Sequence, residues 1–493
     1  MKRTALTLLL VPALCLAGVI RVPSEQPTIQ SGLNAAVAGD TVLVAPGDYD
    51  ERLTWPGRDG IVLMSEKGAD STVITASNAG RVLTMNAVNY SFATMVRGFR
   101  IADGRQTGSA AGVLCRGTPI FLNNRITDNV ALQYETGGGV RADGSPVFGF
   151  NLIARDSVQV RGMAGFRYGG GVYCTGSGIF YANVFADNAV FDSLCSGFRY
   201  GGALYLAGGA PLVFNNLFLC NAVRMTDGSG FAYGGAVCVD EDASAYIANN
   251  TFVGNVCSAH ITYGGALYVP YGASKVKNNI MVHDSCHGSG QGGGIASDTD
   301  AMVCDYNDVW RNYPNDYYRC TAGPNSLNSD PLFTGAAFGD YCLSQVEAGQ
   351  VEDSPCLDAG DSLLLTSPLN LDSLIHAWTT RTDSFPDAGT PDIGFHYDVS
   401  PFTAVLEEQV RHRQHQGLRL IPNPVTENQV ELKGTPGTRL VVYDASGRSV
   451  ADCRLSVGEG RVLLDISSLA PGVYLVRSDA MQDPGHARLV VQR

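Results

Sequence analysis

Short apolar runs alternate with breaks rich in glycine and asparagine along most of the chain, and from about residue 110 the alternation becomes periodic. The phrase Gly-Gly-(Val/Ala/Ile) begins at Gly138, Gly170, Gly201, Gly234, Gly264 and Gly293, with a degenerate copy at Ala111; the spacings are 27, 32, 31, 33, 30 and 29 residues. Thirteen to sixteen residues after each start stands Asn124, Asn151, Asn183, Asn216, Asn250, Asn279 or Asn307. Five residues beyond each of these comes Asn129, Asp156, Asn188, Asn221, Asn255, Asp284 or Asn312. Apolar residues sit three before the first marker (Phe121, Phe148, Phe180, Val213, Ile247, Val276, Cys304) and two after it (Ile126, Ile153, Phe185, Phe218, Phe252, Met281, Val309). Short apolar alternation between Gly and Asn predicts brief strands joined by tight turns. Asn suits such turns because it tolerates the left-handed conformation and its amide can bond its own backbone. Stacked in register, the amides also bond one another as a ladder. Each repeat therefore reads as one rung of a parallel β-solenoid, which folds only as a stack. Seven rungs at about 4.8 Å make a rod of roughly 34 Å.

Composition narrows the function. Glycine contributes 58 of 493 residues without an every-third period, which removes collagen. Charged residues are 16% and hydrophobic ones 45%, so the chain can build a core. A net charge of −13 excludes a nucleic-acid partner. Lys2 and Arg3, an apolar stretch to Leu16 and the small pair Ala17-Gly18 predict a secretory signal peptide over 1–18. Leu14 before Cys15 is too large for a lipoprotein site, and no later run is long enough to span a membrane as a helix. Loss of Lys2 and Arg3 takes the charge to −15. Outside the cytoplasm the remaining cysteines are free to pair.

The repeats resemble the right-handed parallel β-helix of the pectate-lyase-like superfamily, with three strands per coil and an Asn ladder at the second turn. That resemblance implies an all-β, right-handed parallel β-helix over 19–397, and places Asn124 to Asn307 in the ladder. Pro27-Thr28-Ile29-Gln30 and Gly39-Asp40-Thr41-Val42 resemble the cap of secreted bacterial β-helix proteins. Ile29, Leu33 and Val37 have the helical spacing needed to cover an open solenoid end. Asp330-Pro331-Leu332-Phe333, Ser354-Pro355-Cys356-Leu357 and Pro391-Asp392-Ile393-Gly394 resemble the closing segment of the same group.

A polar stretch, 398–417, reads as a linker before a small β unit over 418–493. Ile421-Pro422-Asn423-Pro424, Val441-Val442-Tyr443-Asp444 and Leu469-Ala470-Pro471-Gly472-Val473-Tyr474 divide alternating strands by Gly and Pro turns, the pattern of a β-sandwich. It is similar to the C-terminal sorting domain of the type IX secretion system, which implies that machinery as a partner and a location at the cell surface or outside the cell. A carbohydrate-binding or Ig-like module is the alternative.

Chemistry is less legible. Glycoside hydrolysis needs two carboxylates about 5 to 9.5 Å apart. The first-strand positions hold either Leu114, Arg141, Tyr173, Leu204, Val237, Leu267 and Ala296, or Val113, Val140, Val172, Ala203, Ala236, Ala266 and Ile295. Neither set contains an acid, and the alternation leaves open which one faces out. Acids gather at the first turn instead: Asp143, then Asp240-Glu241-Asp242, then Asp298 and Asp300. Asp240, Glu241, Asp242, Asp298 and Asp300 could hold Ca²⁺, the one candidate ion, with its six to eight oxygens. Lys275 and Lys277 flank an inward position and read as surface residues rather than a lyase base.

The third-turn loops repeat one phrase: Gly165-Phe166-Arg167-Tyr168, Gly197-Phe198-Arg199-Tyr200 and Gly230-Phe231-Ala232-Tyr233, with Tyr263 continuing the tyrosine. Register stacks Tyr168, Tyr200, Tyr233 and Tyr263 in a column with Arg167 and Arg199 beside it. This is a candidate surface for a polysaccharide or surface glycan, whose flat faces and carboxylates suit aromatic rings and guanidinium forks. The same phrase could instead pack the loops against the rod. Cys257 and Cys286 occupy one register position on adjacent rungs, within disulfide reach. Cys115, Cys174 and Cys238 read as core thiols, and Cys320, Cys342 and Cys356 leave one undetermined pair. The favoured expectation is a monomeric, non-catalytic surface protein for glycan binding or adhesion. The rival is a polysaccharide lyase or glycoside hydrolase.

Overall fold

In the computed structural model, described residues run over 18–399 apart from 134–135, 162–164, 194–195, 227–228, 272, 300–301 and 363–371, and include the strands between 418 and 491. The signal peptide and the linker lie outside them. Three parallel sheets of 11, 10 and 10 strands wind around one core. A representative rung takes Val140–Gly144 in the first sheet, Val147–Gly149 in the second and Leu152–Ala154 in the third. The eleven-stranded sheet begins at Val19–Val22, so the rod starts well before the periodic phrase and spans about 48 Å. Early rungs such as Thr41–Val44 and Val62–Ser65 keep the strand alternation without the Gly-Gly and Asn markers.

The apolar positions on both sides of the first marker are the core. Phe121, Phe148 and Phe180 stack at 4.7 and 5.6 Å, and Phe185, Phe218 and Phe252 at 4.8 and 4.6 Å. At the N-terminal end a capped helix, Ile29–Ala35, buries Ile29 and Leu33 over the open sheet edges. The helix stops one residue short of Ala36, which is buried, while Val37 beyond it is 42% exposed.

Both marker positions form ladders. Asn124, Asn151, Asn183, Asn216, Asn250 and Asn279 each donate an amide N–H to the next rung's Oδ1 at 2.9 to 3.2 Å, ending on Asn307. The second series runs from Asn129 through Asp156, Asn188, Asn221, Asn255 and Asp284 to Asn312. The left-handed backbone belongs not to these markers but to the residue before each, including Phe150 at φ 54° and Ala182 at φ 51°. Such residues cost about 1–2 kcal/mol in that conformation. The marker side chain offsets this by satisfying the turn's backbone groups, which is why it is an amide.

The third-turn excursions build a fin. Outgoing strands Ser157–Arg161, Ala189–Ser193 and Ala222–Thr226 stack in register, and so do return strands Gly165–Tyr168, Gly197–Tyr200 and Gly230–Tyr233. One long strand, Val256–Tyr263, pairs with both stacks. Val158, Val190, Val223, Ala232, Cys257 and Cys286 fill the interior.

A second compact unit comprises Val399–Arg493 with Ala336–Gly339. It holds two antiparallel sheets, one of Leu418–Ile421, Gln429–Gly434 and Arg461–Asp465, the other of Arg439–Tyr443, Ser449–Arg454, Gly472–Ser478 and His486–Val491.

Candidate functional site

Where each return strand bends into the first sheet, the chain needs left-handed glycine: Gly201 has φ 62°, and a Cβ on the next residue, Gly202, would meet Gly235 O at 2.1 Å. This bend fixes the true register of the repeat. Gly137, Gly169, Gly201, Gly234, Gly264 and Gly292 are equivalent, so the phrase starts one residue earlier than expected in three copies. The outward row of the first sheet is consequently Arg141, Tyr173, Tyr205, Cys238, Tyr268 and Ala296. Leu204, Val237 and Leu267 point inward. Cys238 also changes place: it lies among the tyrosines, whereas Cys115 and Cys174 sit in the core.

The two outward faces meet along a tyrosine-filled trough parallel to the rod, its floor packed beneath its wall. Its wall is Tyr168, Tyr200, Tyr233 and Tyr263, stacked at 5.1, 5.0 and 5.6 Å. Its floor is Tyr173, Tyr205 and Tyr268. Wall and floor rings approach to 4.6 Å (Tyr168–Tyr205) and 4.7 Å (Tyr233–Tyr268) with tilts of 48° and 55°. The fin rim carries a third row, Phe166, Phe198 and Phe231, at 5.3 and 4.9 Å, with Phe166 53% exposed. Ring faces in these columns are covered by their neighbours, and Tyr205 and Tyr268 are buried, so the half-buried wall tyrosines form the surface along this line. The tyrosines thus dock the fin onto the rod as well as line the surface.

Arg167 and Arg199 are not beside the column. They are 1% and 0% exposed, inside the fin, where Arg199 pairs with Asp192. Successive strand side chains face opposite ways, so Phe and Tyr of the phrase share the outer face and Arg points in. That alternation was visible in Gly-Phe-Arg-Tyr itself. Arg141 is the cation that remains in the trough, 5.4 Å over the Tyr173 ring and bonded to Asp143 at 2.9 Å.

The expected Ca²⁺ ligands do not converge. Asp240 accepts a hydrogen bond from Tyr205, and Asp298 one from Tyr268 at 2.9 Å. The two lie two rungs apart, about 10 Å, too far to share an ion that holds oxygens at 2.3–2.6 Å. Glu241 and Asp242 are exposed, and Asp300 lies outside the described residues. Among the described residues, the group whose ligand atoms do cluster is Asp387, Asp392 and His396, buried in the closing segment. There His396 Nε2 meets Asp387 at 2.8 Å and Nδ1 meets Gly394 O at 3.1 Å. Sequence reading missed it because its members come from an irregular loop.

Electrostatics keep the trough phenols protonated. Burial, reinforced by neighbouring Tyr173 and Asp240, raises Tyr168 to about 12. Burial raises Tyr205 further, helped by Cys238 and Asp240. Burial also lifts the Cys238 thiol well above its ordinary value, which removes it as a nucleophile. Cys257 and Cys286 are register partners, buried together as thiols.

No helix among the described residues is long and apolar enough to cross a membrane. No curated protein matches the chain. A solved pectin methylesterase from carrot is similar at 13% identity, with a TM-score of 0.27, over 62% of this chain and 82% of that one. Residues 419–492 match the family model described as Secretion system C-terminal sorting domain. The β-helix is accordingly joined to a tail that the type IX secretion machinery handles, and the chain is addressed to the cell surface or the extracellular space.

Proposed function

We propose that this exported β-helix is a non-catalytic surface protein that binds a glycan chain lying along the tyrosine trough. The observation that carries this is the repetition of one phenol per rung over consecutive rungs, beside a row of phenylalanines of which Phe166 is exposed. The rung spacing of about 4.8 Å is close to the length of one sugar unit in an extended polymer. Hydroxyl donors and ring edges, rather than ring faces, would make the contacts. The outward row of the first sheet holds no carboxylate, and Asp240 and Asp298 are each occupied by a phenol hydroxyl. Both facts favour binding over hydrolysis.

The test is the full-length protein against a polysaccharide panel, with and without Ca²⁺, scoring bound glycan and new reducing ends. Tyr200→Phe keeps the ring and deletes the hydroxyl, so affinity for the bound polymer should fall about fivefold, one hydrogen bond's worth. Release of reducing ends would establish the enzymatic rival, and absence of binding to every polymer would end the glycan reading. We also infer that Cys257 and Cys286 join as a disulfide after export, since adjacent parallel strands place their Cα atoms about 4.8 Å apart.

A further inference from the structure

The first strand, Val19–Val22, lies parallel to Thr41–Val44, and the residue before it is bonded through both of its backbone groups. Gly18 O accepts Thr41 N at 2.8 Å, and Gly18 N donates to Asp40 Oδ1 at 2.8 Å. The other oxygen of Asp40 takes Val37 N at 2.9 Å, so one carboxylate ties the start of the rod to the turn after the capping helix. Asp40 is 8% exposed and has no ion-pair partner among the described residues. Arg58 reaches this turn but donates to the carbonyls of Asn34 and Ala36. Two amide N–H groups orient a buried carboxylate without cancelling its charge, and such a charge is stabilised by an opposite one.

Export signals end in a small-x-small pattern before the cut. A cut after Gly18 places Leu16 at the first small position and removes the residue to which Asp40 and Thr41 N are bonded. A cut after Ala17 places Cys15 and Ala17 at the small positions and keeps Gly18. We propose that the chain is processed at the Ala17–Gly18 bond and that the α-ammonium of Gly18 becomes the ion-pair partner of Asp40. The signal peptide then covers 1–17 rather than 1–18. Water adds across the amide: its oxygen joins the Ala17 carbonyl carbon, the C–N bond breaks, Ala17 leaves as a carboxylate, and both water protons go to Gly18 N. The product ammonium is charged at neutral pH and stands where the amide N–H now donates, 2.8 Å from Oδ1. Glycine suits this position, because a Cβ there would lie 3.1 Å from the same oxygen. Processing thus completes the cap by replacing a neutral donor on a buried carboxylate with a charged one.

The protein is produced with its export signal in a host that secretes it, and its first residue is read by N-terminal sequencing and peptide mass. Gly18 is the expected first residue; Val19, or any other, overturns the assigned bond. The ion pair is tested separately on protein that begins with Gly18, by selective acetylation of its α-amine below the lysine range. The acetyl group restores an amide N–H and removes only the charge, so the unfolding midpoint should fall by about 2 °C. In Asp40→Asn, which circular dichroism checks for folding, the same acetylation should leave the midpoint where it was. An unchanged midpoint in the parent, or an equal fall in the variant, overturns the pairing with Asp40.

Discussion

Two positions in the second ladder carry aspartate where the others carry asparagine, and replacing them tests how the ladder works. Asn188, Asn221, Asn255 and Asn312 donate Nδ2 to Ile153, Phe185, Phe218 and Met281 carbonyls at 2.7 to 2.9 Å. By the same register Asp156 Oδ2 and Asp284 Oδ2 face the Ile126 and Phe252 carbonyls, and both oxygens are buried without another bond. An ionised oxygen there would oppose a carbonyl; a protonated one donates as the amide does. Burial pushes both carboxyls well above their ordinary range, with Asp128 adding to the rise at Asp156 and Arg155 opposing it. The native state thus retains a proton that the unfolded chain releases near pH 3.9. A raised native value means the stability is complete below that pH and is lost as pH climbs toward the native value. The slope is about 1.4 kcal/mol per pH unit for each site between the unfolded and native values. Asp284→Asn should therefore stabilise the rod at pH 7, by about 1.4 kcal/mol for each pH unit separating the unfolded and native values, and by almost nothing at pH 3. Urea unfolding at both pH values measures the gain, and the protonated carboxyl's infrared band should be lost with the substitution. A gain independent of pH, or destabilisation at pH 7, would refute the reasoning.

Other substitutions probe the remaining framework. Asn216→Leu removes the acceptor of Asn183 N and Nδ2 and the donor to Phe180 O, so it should cost about 4 kcal/mol, seen as a lower unfolding temperature. Arg199→Met breaks its buried ion pair with Asp192 inside the fin and should cost about 3–5 kcal/mol, seen as a lower urea midpoint; a variant as stable as the parent contradicts this. Mass mapping of protein recovered from the medium should find Cys257 and Cys286 linked, and native-state alkylation of either thiol there would disprove the bridge.

The ladders and core were legible because each rung repeats the same demands: an inward apolar residue three before and two after an amide whose partners lie one rung away. The trough was only half legible. Three-glycine runs at Gly137, Gly169 and Gly292 allow two alignments, and the choice that looks uniform in sequence slips the middle rungs by one residue. With a period of two, that slip turns every side chain over, hiding Tyr205 and Tyr268 and misplacing Cys238. The tyrosine–aspartate pairs were invisible for a different reason. They join a strand residue on one rung to a turn residue on the next, a diagonal that no single repeat displays.

The closing segment lies across successive rungs: Asp361 bonds Asn278, Asp392 accepts from Asn249, His396 bonds Asn215, and Trp378 packs on Phe150. A duplication from one marker to the next, such as 183–215, would add a rung, a wall tyrosine and a floor tyrosine together. Length of the rod and length of its tyrosine rows are therefore a single heritable variable, and the closing segment, which contacts rungs on both sides of such an insertion, sets the molecule's rung number.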